Sequence, residues 1–282
     1  MGPDLHLAND ALAVSVSRQG GMLTAAKAGG HSFLCSPQGP TEVACFPMVP
    51  LCNRLANNRF TFAGRDYRFT PNTNDPLYLH GDGWQGEWKV SNYSKSQATL
   101  NFTHARGPFS YKAQQTIRLV GTTLHLGLSV RNTGTEAMPF GIGFHPYFPR
   151  KGAKLQFAAT SYWSERQDHL PNTASPIPAD VNFAMSRPLP TCWLNNAYEG
   201  WRGLVRIDWP HQGMHLDLHA DPLFNTLMLY APDAGNSFFC IEPMSHLPNE
   251  LNMPNQPNLH VLAPDHSLAG GIRMTITKTE PQ

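Results

Sequence analysis

The sequence predicts an all-β protein, a large antiparallel β-sandwich, and three observations carry the prediction. Apolar residues alternate with polar ones at period two from one end of the chain to the other. The 282 residues include 25 prolines and 23 glycines, so about one residue in six punctuates the chain into short elements joined by turns. No segment holds a helical apolar period for longer than a turn or two. Strand after strand, with turn signals between and no helices interleaved, implies a sandwich of antiparallel sheets.

The elements follow in chain order. Leu12, Val14 and Val16 are separated by small or polar residues, and Gly20-Gly21 turns the chain after them. Leu100 and Phe102 repeat the pattern. Ile117 and Leu119 lead into Gly121; beyond it Leu124, Leu126, Leu128 and Val130 form the return strand of a hairpin, one face apolar and the other more polar. Residues 161–190 are rich in Pro, Asn, Asp and Ser and are expected to form a long surface loop. Residues 204–209 pair with Met214, Leu216 and Leu218 around a turn at 210–213, and the segments 226–230 and 238–241 are more continuously apolar. Ile272, Met274 and Ile276 close the chain. No repeat or shift of composition marks a boundary, so residues 1–282 are expected to form one domain.

Composition narrows the function. A formal net charge of +1 and a pI near 7.8 argue against a nucleic-acid or anionic-membrane partner, which leaves a basic patch or stripe. Cys35, Cys45, Cys52, Cys192 and Cys240 are odd in number and lack a Cys-x-x-Cys pair, which fits free thiols in a reducing compartment. The N-terminus lacks the cationic and apolar regions of a secretory signal. No apolar run approaches the roughly 18 residues of a membrane span. A soluble, cytoplasmic protein is expected. The 13 histidines are scattered, without a His-Glu-x-x-His motif, so no metal is expected. No Gly-x-Ser-x-Gly elbow or phosphate-binding loop occurs.

Four clusters carry candidate chemistry. The central one is Gly141-Ile-Gly143-Phe-His145-Pro146-Tyr147-Phe148, where Pro146 biases His145 toward extended backbone and the glycines permit close approach. A catalytic imidazole needs such a stiff frame; a buried structural histidine at a strand end fits it equally. Arg54, beside Asn53 in an apolar, proline-punctuated segment, needs an acceptor if buried. His80 lies among glycines and near Trp84 and Trp88, which suits a sugar with its apolar face and hydroxyl rim; a glycine-rich turn over core tryptophans is the alternative. Leu194-Asn195-Asn196 reads as a polar turn. Finally, the apolar run Phe238-Phe-Cys-Ile ends in Glu242. A desolvated carboxylate there is a better base near neutrality, and an ordinary rim charge is the alternative.

Taken in order, Pro50-Leu-Cys-Asn53-Arg54-Leu, Phe60-Thr-Phe-Ala-Gly64, His80-Gly81…Trp88, Gly143-Phe-His145-Pro-Tyr-Phe148 and Cys240-Ile-Glu242-Pro243 resemble the aldose 1-epimerase (galactose mutarotase) family over most of the chain. The resemblance implies a β-sandwich that interconverts the α and β anomers of a free sugar without a cofactor. Glu242 would take the proton of the C1 hydroxyl and His145 would donate one to the ring oxygen, from opposite sides of the hemiacetal. His80, Arg54, Asn53, Tyr147 and Asn195 would contact the sugar. Relatives usually carry aspartate where this chain has Asn195, which opens the choice of sugar. The partner is then a small sugar, with the protein a monomer or homodimer. A mutarotase of a phosphorylated or sulfonated hexose would need basic groups at the rim, for which Arg150, Lys151, Arg166 and Arg187 are the candidates. A non-catalytic carbohydrate-binding protein is the third reading, and it needs no acid–base pair.

Overall fold

The computed structural model describes residues 4–37, 42–254 and 258–279. Among these, two large antiparallel sheets dominate. The larger has 11 strands, ordered Leu5–Ala8, Leu12–Val16, Leu23–Ala28, Cys45–Met48, Gly143–Pro149, Phe238–Met244, Thr226–Ala231, Leu194–Glu199, Ser161–Glu165 and Pro171–Ser175, with His31–Leu34 paired onto Leu23–Ala28. The second has nine, built around the long hairpin Phe109–Val120 and Thr123–Asn132, which pairs on through Ser267–Lys278 to Met214–Ala220 and Leu204–Trp209. The helices among the described residues are three-residue 3-10 turns.

One apolar core lies between the sheets. Leu124, Leu126, Leu128, Ile272 and Met274 from the second meet Phe144, Phe148, Leu227, Leu229, Phe239 and Ile241 from the first. The two sheets differ on their outer faces, and the sequence records the difference. Phe109–Val120 alternates buried and open positions along its length, because its outer face meets water. In Phe238–Met244 every residue after the first is buried. A strand covered on both faces loses its alternation, which explains the continuously apolar segments.

Two expectations change. Residues 161–190 are not a structureless loop: Ser161–Glu165 and Pro171–Ser175 pair as a hairpin at the sheet edge, and Arg187–Pro188 joins the other sheet. Their polar composition reflects an edge whose residues are half-buried or exposed. Likewise Leu194-Asn195-Asn196 is no turn. It opens the strand Leu194–Glu199, paired to Thr226–Ala231 with Asn195 opposite Tyr230.

Candidate active site

The outer face of the larger sheet carries a second apolar cluster, separate from the core. Met22, Phe46, Met48, Cys52, Ala197, Met228, Met244 and Leu247 form it, with Trp84, Tyr147 and Trp163 packed against them. Cross-strand register sets a row of side chains across this floor. Phe46 lies opposite His145, Met228 opposite Glu242, Ala197 opposite Met228 and Trp163 opposite Ala197. Between Gly143–Pro149 and Phe238–Met244, Gly143 pairs with Met244 and Tyr147 with Cys240, which brings His145 and Glu242 directly opposite each other. Two residues almost 100 positions apart become nearest neighbours through strand pairing alone.

His145 Nε2 stands 3.2 Å from Glu242 Oε1. The two therefore rise side by side from one floor, on neighbouring strands. The hydroxyl and ring oxygens of a hemiacetal are bonded to one carbon, so adjacent groups are what reach both. Both side chains are buried, Glu242 with 2% of its surface exposed. Among the described residues, His145 Nδ1 and Glu242 Oε2 are buried without a hydrogen-bond partner, an arrangement that costs about 1–3 kcal/mol per group and is kept where something else completes it. The imidazole packs against Phe46 and Tyr147, with ring centroids 4.6 and 4.7 Å away.

Burial drives both groups toward their neutral forms. It pushes the Glu242 carboxyl up to about 8, against the opposing pull of the Arg54 charge. It pulls the His145 imidazole down to about 3. Each shift acts on the same shared contact, so the pair holds one proton between them through the neutral range.

His80 lies beside this pair, its ring edge-on to His145 at 5.1 Å. The backbone N–H of Asn53 donates to His80 Nδ1 at 3.2 Å, and burial holds the imidazole neutral, well below its ordinary value. The proton then sits on Nε2, which makes His80 a donor of fixed tautomer. Asn53 is thus a frame for His80: its carbonyl accepts the His80 N–H at 2.9 Å and its Oδ1 accepts the Arg54 N–H at 2.9 Å. Both Asn53 and His80 sit at a φ of +58°, a region asparagine enters more readily than most residues. Arg54 is partly buried and has its acceptor in Asp75, whose Oδ2 takes Nε at 2.9 Å and Nη2 at 2.8 Å. Among the described residues, Nη1 of the guanidinium fork takes no partner, and the Arg54 charge reaches both Glu242 and His145.

Tyr147 and Asn195 lie one step further along the same face, in the row Tyr147, Cys240, Tyr230, Asn195. Asn195 Nδ2 donates to Glu165 Oε1. The four basic residues do not gather here. Arg150 donates to the carbonyls of Pro190 and Pro232, Arg166 pairs with Asp168, and Arg187 donates to the carbonyls of Ala179 and Asn182. Lys151 borders a separate cavity with Trp209 and His211.

Two motif-like spacings that the sequence reading did not weigh have structural explanations. Gly81-Asp-Gly83-Trp-Gln-Gly86 has the spacing of a dinucleotide fingerprint, but it leads into the 3-10 turn Gly83–Gln85 and no βαβ unit surrounds it. A Cβ on Gly81 would stand 2.2 Å from the carbonyl oxygen of Val49, so close packing explains that glycine. His215 and His219 have helical chelate spacing but lie on the strand Met214–Ala220, where four residues span roughly 13 Å. The sequence reading missed Asp75 and Glu165, both in polar stretches with no spacing signal, and Phe46 as a wall of the site.

A β-sandwich with this floor defines a class. The chain belongs to the aldose 1-epimerase family, whose model matches residues 3–275. The uncharacterized protein YphB of Escherichia coli K12 is 37% identical over 245 residues, 84% of each chain. The uncharacterized YihR of the same organism is 25% identical over 222 residues, 73% of this chain and 70% of that one. A crystal structure of a candidate aldose 1-epimerase from E. coli K12 superposes with a TM-score of 0.94 at 34% identity, over 98% of this chain and 99% of that one. A GalM/aldose epimerase homologue from Caenorhabditis elegans shares the fold with a TM-score of 0.84 at 16% identity, over 99% and 100% of the two chains.

Proposed function

We propose that this chain is a mutarotase that interconverts the α and β anomers of a neutral aldose, with Glu242 as base and His145 as acid. The observation that carries the reading is the buried pair in contact at 3.2 Å, with one atom of each side chain left unpaired. Binding alone needs no such pair; ring opening needs two proton transfers at adjacent oxygens.

The proton count closes without a further group. In the reactive arrangement Glu242 is a carboxylate and His145 an imidazolium. Glu242 takes the proton of the C1 hydroxyl while His145 Nε2–H gives its proton to the ring oxygen. The C1–ring oxygen bond breaks, a free aldehyde forms, and the pair is left as carboxylic acid and neutral imidazole. That is the form burial favours, so desolvation assists the opening step. Rotation about the bond to C1 presents the other face of the aldehyde, and the reverse transfers close the ring as the opposite anomer. His80 Nε2–H and the free end of the Arg54 guanidinium donate to the oxygens on which charge develops. Phe46, Trp84 and Tyr147 face the apolar side of the sugar.

The commitment of Arg150, Arg166 and Arg187 elsewhere supports a neutral sugar over a phosphorylated or sulfonated one. The test is anomer exchange followed by NMR on galactose, glucose, other aldoses, and phosphorylated and sulfonated hexoses. Glu242→Gln and His145→Asn should each lower kcat by about 10²–10⁴-fold. Exchange at the buffer rate for every sugar, with binding retained, would leave a carbohydrate-binding protein in its place.

A further inference from the structure

At the far end of the floor from Glu242, the carboxylate of Glu165 collects three N–H groups. Asn195 Nδ2 and His169 Nδ1 meet Oε1, the latter at 2.6 Å, and Trp193 Nε1 meets Oε2 at 2.8 Å. An ionised carboxylate only accepts, so all three donate. Ser161–Glu165 pairs with Leu194–Glu199, Trp163 opposite Ala197, and beyond that pair the side chains of Glu165 and Asn195 meet. The Asn195 amide is thereby fixed: its nitrogen is held by Glu165, and among the described residues nothing donates to its Oδ1. Trp193, 47% exposed, packs edge-on to Tyr230 at 5.2 Å and beside His169 at 5.5 Å.

We propose that Glu165 is a positioning and specificity residue: it locks Asn195 so that Oδ1 accepts a hydroxyl from the end of the sugar remote from C1, with Trp193 as the rim. This rests on the mutarotase reading and extends it. Asn195 is two strands from Glu242, roughly 10 Å at the spacing of paired strands, about the span of a hexose with its hydroxyls. An aspartate in place of Asn195 would present a carboxylate to the sugar directly. Here the acceptor comes from the amide and the negative charge from the neighbouring strand. That charge also repels an anionic substituent at this end of the sugar.

The decisive experiment is anomer-exchange kinetics on glucose, galactose and glucose 6-phosphate for the wild type, Glu165→Gln, Asn195→Asp and the double variant, with circular dichroism to confirm that each is folded. In Glu165→Gln the introduced amide offers one acceptor oxygen for three donors and frees Asn195 to turn. KM for the neutral sugar should rise about tenfold with kcat within twofold, and the preference for glucose over its phosphate should fall by a similar factor. Asn195→Asp alone sets two carboxylates in contact and should raise KM at least as far. In the double variant the introduced glutamine amide donates to the introduced aspartate, and KM should return to within about threefold of the wild type. An unchanged KM in Glu165→Gln, or single effects that simply multiply in the double variant, overturns the proposal.

Should the wild type exchange no sugar, the mutarotase reading fails by itself. The same four proteins then test Glu165 through saturation-transfer NMR of sugar binding, where equal binding by wild type and Glu165→Gln overturns it. A wild type that neither exchanges nor binds any of the three sugars overturns both.

Discussion

In the proposed mechanism the proton shared by His145 and Glu242 sets the pH dependence of the reaction. The proposed mechanism needs one proton on the pair, so kcat should fall above about pH 8 as that proton is lost, and again toward pH 3 as a second is gained. An upper limb lying below neutrality would show that the pair loses its proton there and would overturn the raised value of Glu242. Stability carries the same signature. Glu242 has a folded value near 8 and an ordinary value of 4.5. The folded state therefore binds this proton more tightly than the unfolded chain. Its contribution is complete below pH 4.5 and is lost as pH rises through 8. His145 is lowered, from 6.5 to about 3, and opposes folding increasingly as pH falls through that window. Glu242→Gln removes the first slope. Urea unfolding at pH 5, 6, 7 and 8 should show the variant gaining on the wild type as pH rises, by no more than ~1.4 kcal/mol per pH unit. A constant gap across that range would refute the assignment.

At the scale of elements, the segment carrying Asn53 and Arg54 is held by partners distant in sequence. Gly141 N–H donates to the Pro50 carbonyl at 2.7 Å, Cys52 N–H to His246 Nε2 at 3.0 Å, and Asn249 N–H to the Arg54 carbonyl at 3.0 Å. A Cβ on Gly141 would lie 2.0 Å from His246 Cδ2. Gly141→Ala must therefore displace the ring that anchors Cys52, and should cost about 1–3 kcal/mol in unfolding free energy, the usual range for overpacking. Asp75 works on the same segment from the other side. Asp75→Ala frees the Arg54 guanidinium, and KM for the sugar should rise several-fold with a smaller change in kcat. An unchanged KM would mean that Arg54 holds its place without the ion pair.

Over the whole molecule, the core between the sheets and the floor on the outer face are separate apolar clusters, and they should fail separately. Leu126→Ala, on the second sheet and facing the core, should cost about 2–5 kcal/mol while kinetics measured well below the unfolding temperature stay unchanged. Met228→Ala, between Glu242 and Ala197 on the floor, should alter KM. If Leu126→Ala also changed KM, the floor would be mechanically coupled to the core. The separation also explains what was legible beforehand. Period-two alternation is a local property, so the hairpin of Phe109–Val120 and Thr123–Asn132 could be read directly, and so could the continuously apolar start of the strand Phe238–Met244 that carries Glu242. The edge hairpin at 161–175 was hidden because an edge strand buries too little to show a pattern. The sequence by itself determined the β class, the strands whose apolar pattern is local, and that His145, Glu242, His80 and Arg54 were the residues to watch. Only the tertiary structure decided that His145 and Glu242 touch, that Asp75 holds Arg54, and that Glu165 holds Asn195. Those contacts depend on strand order and register across the sheet, which non-local pairing sets and no local pattern encodes.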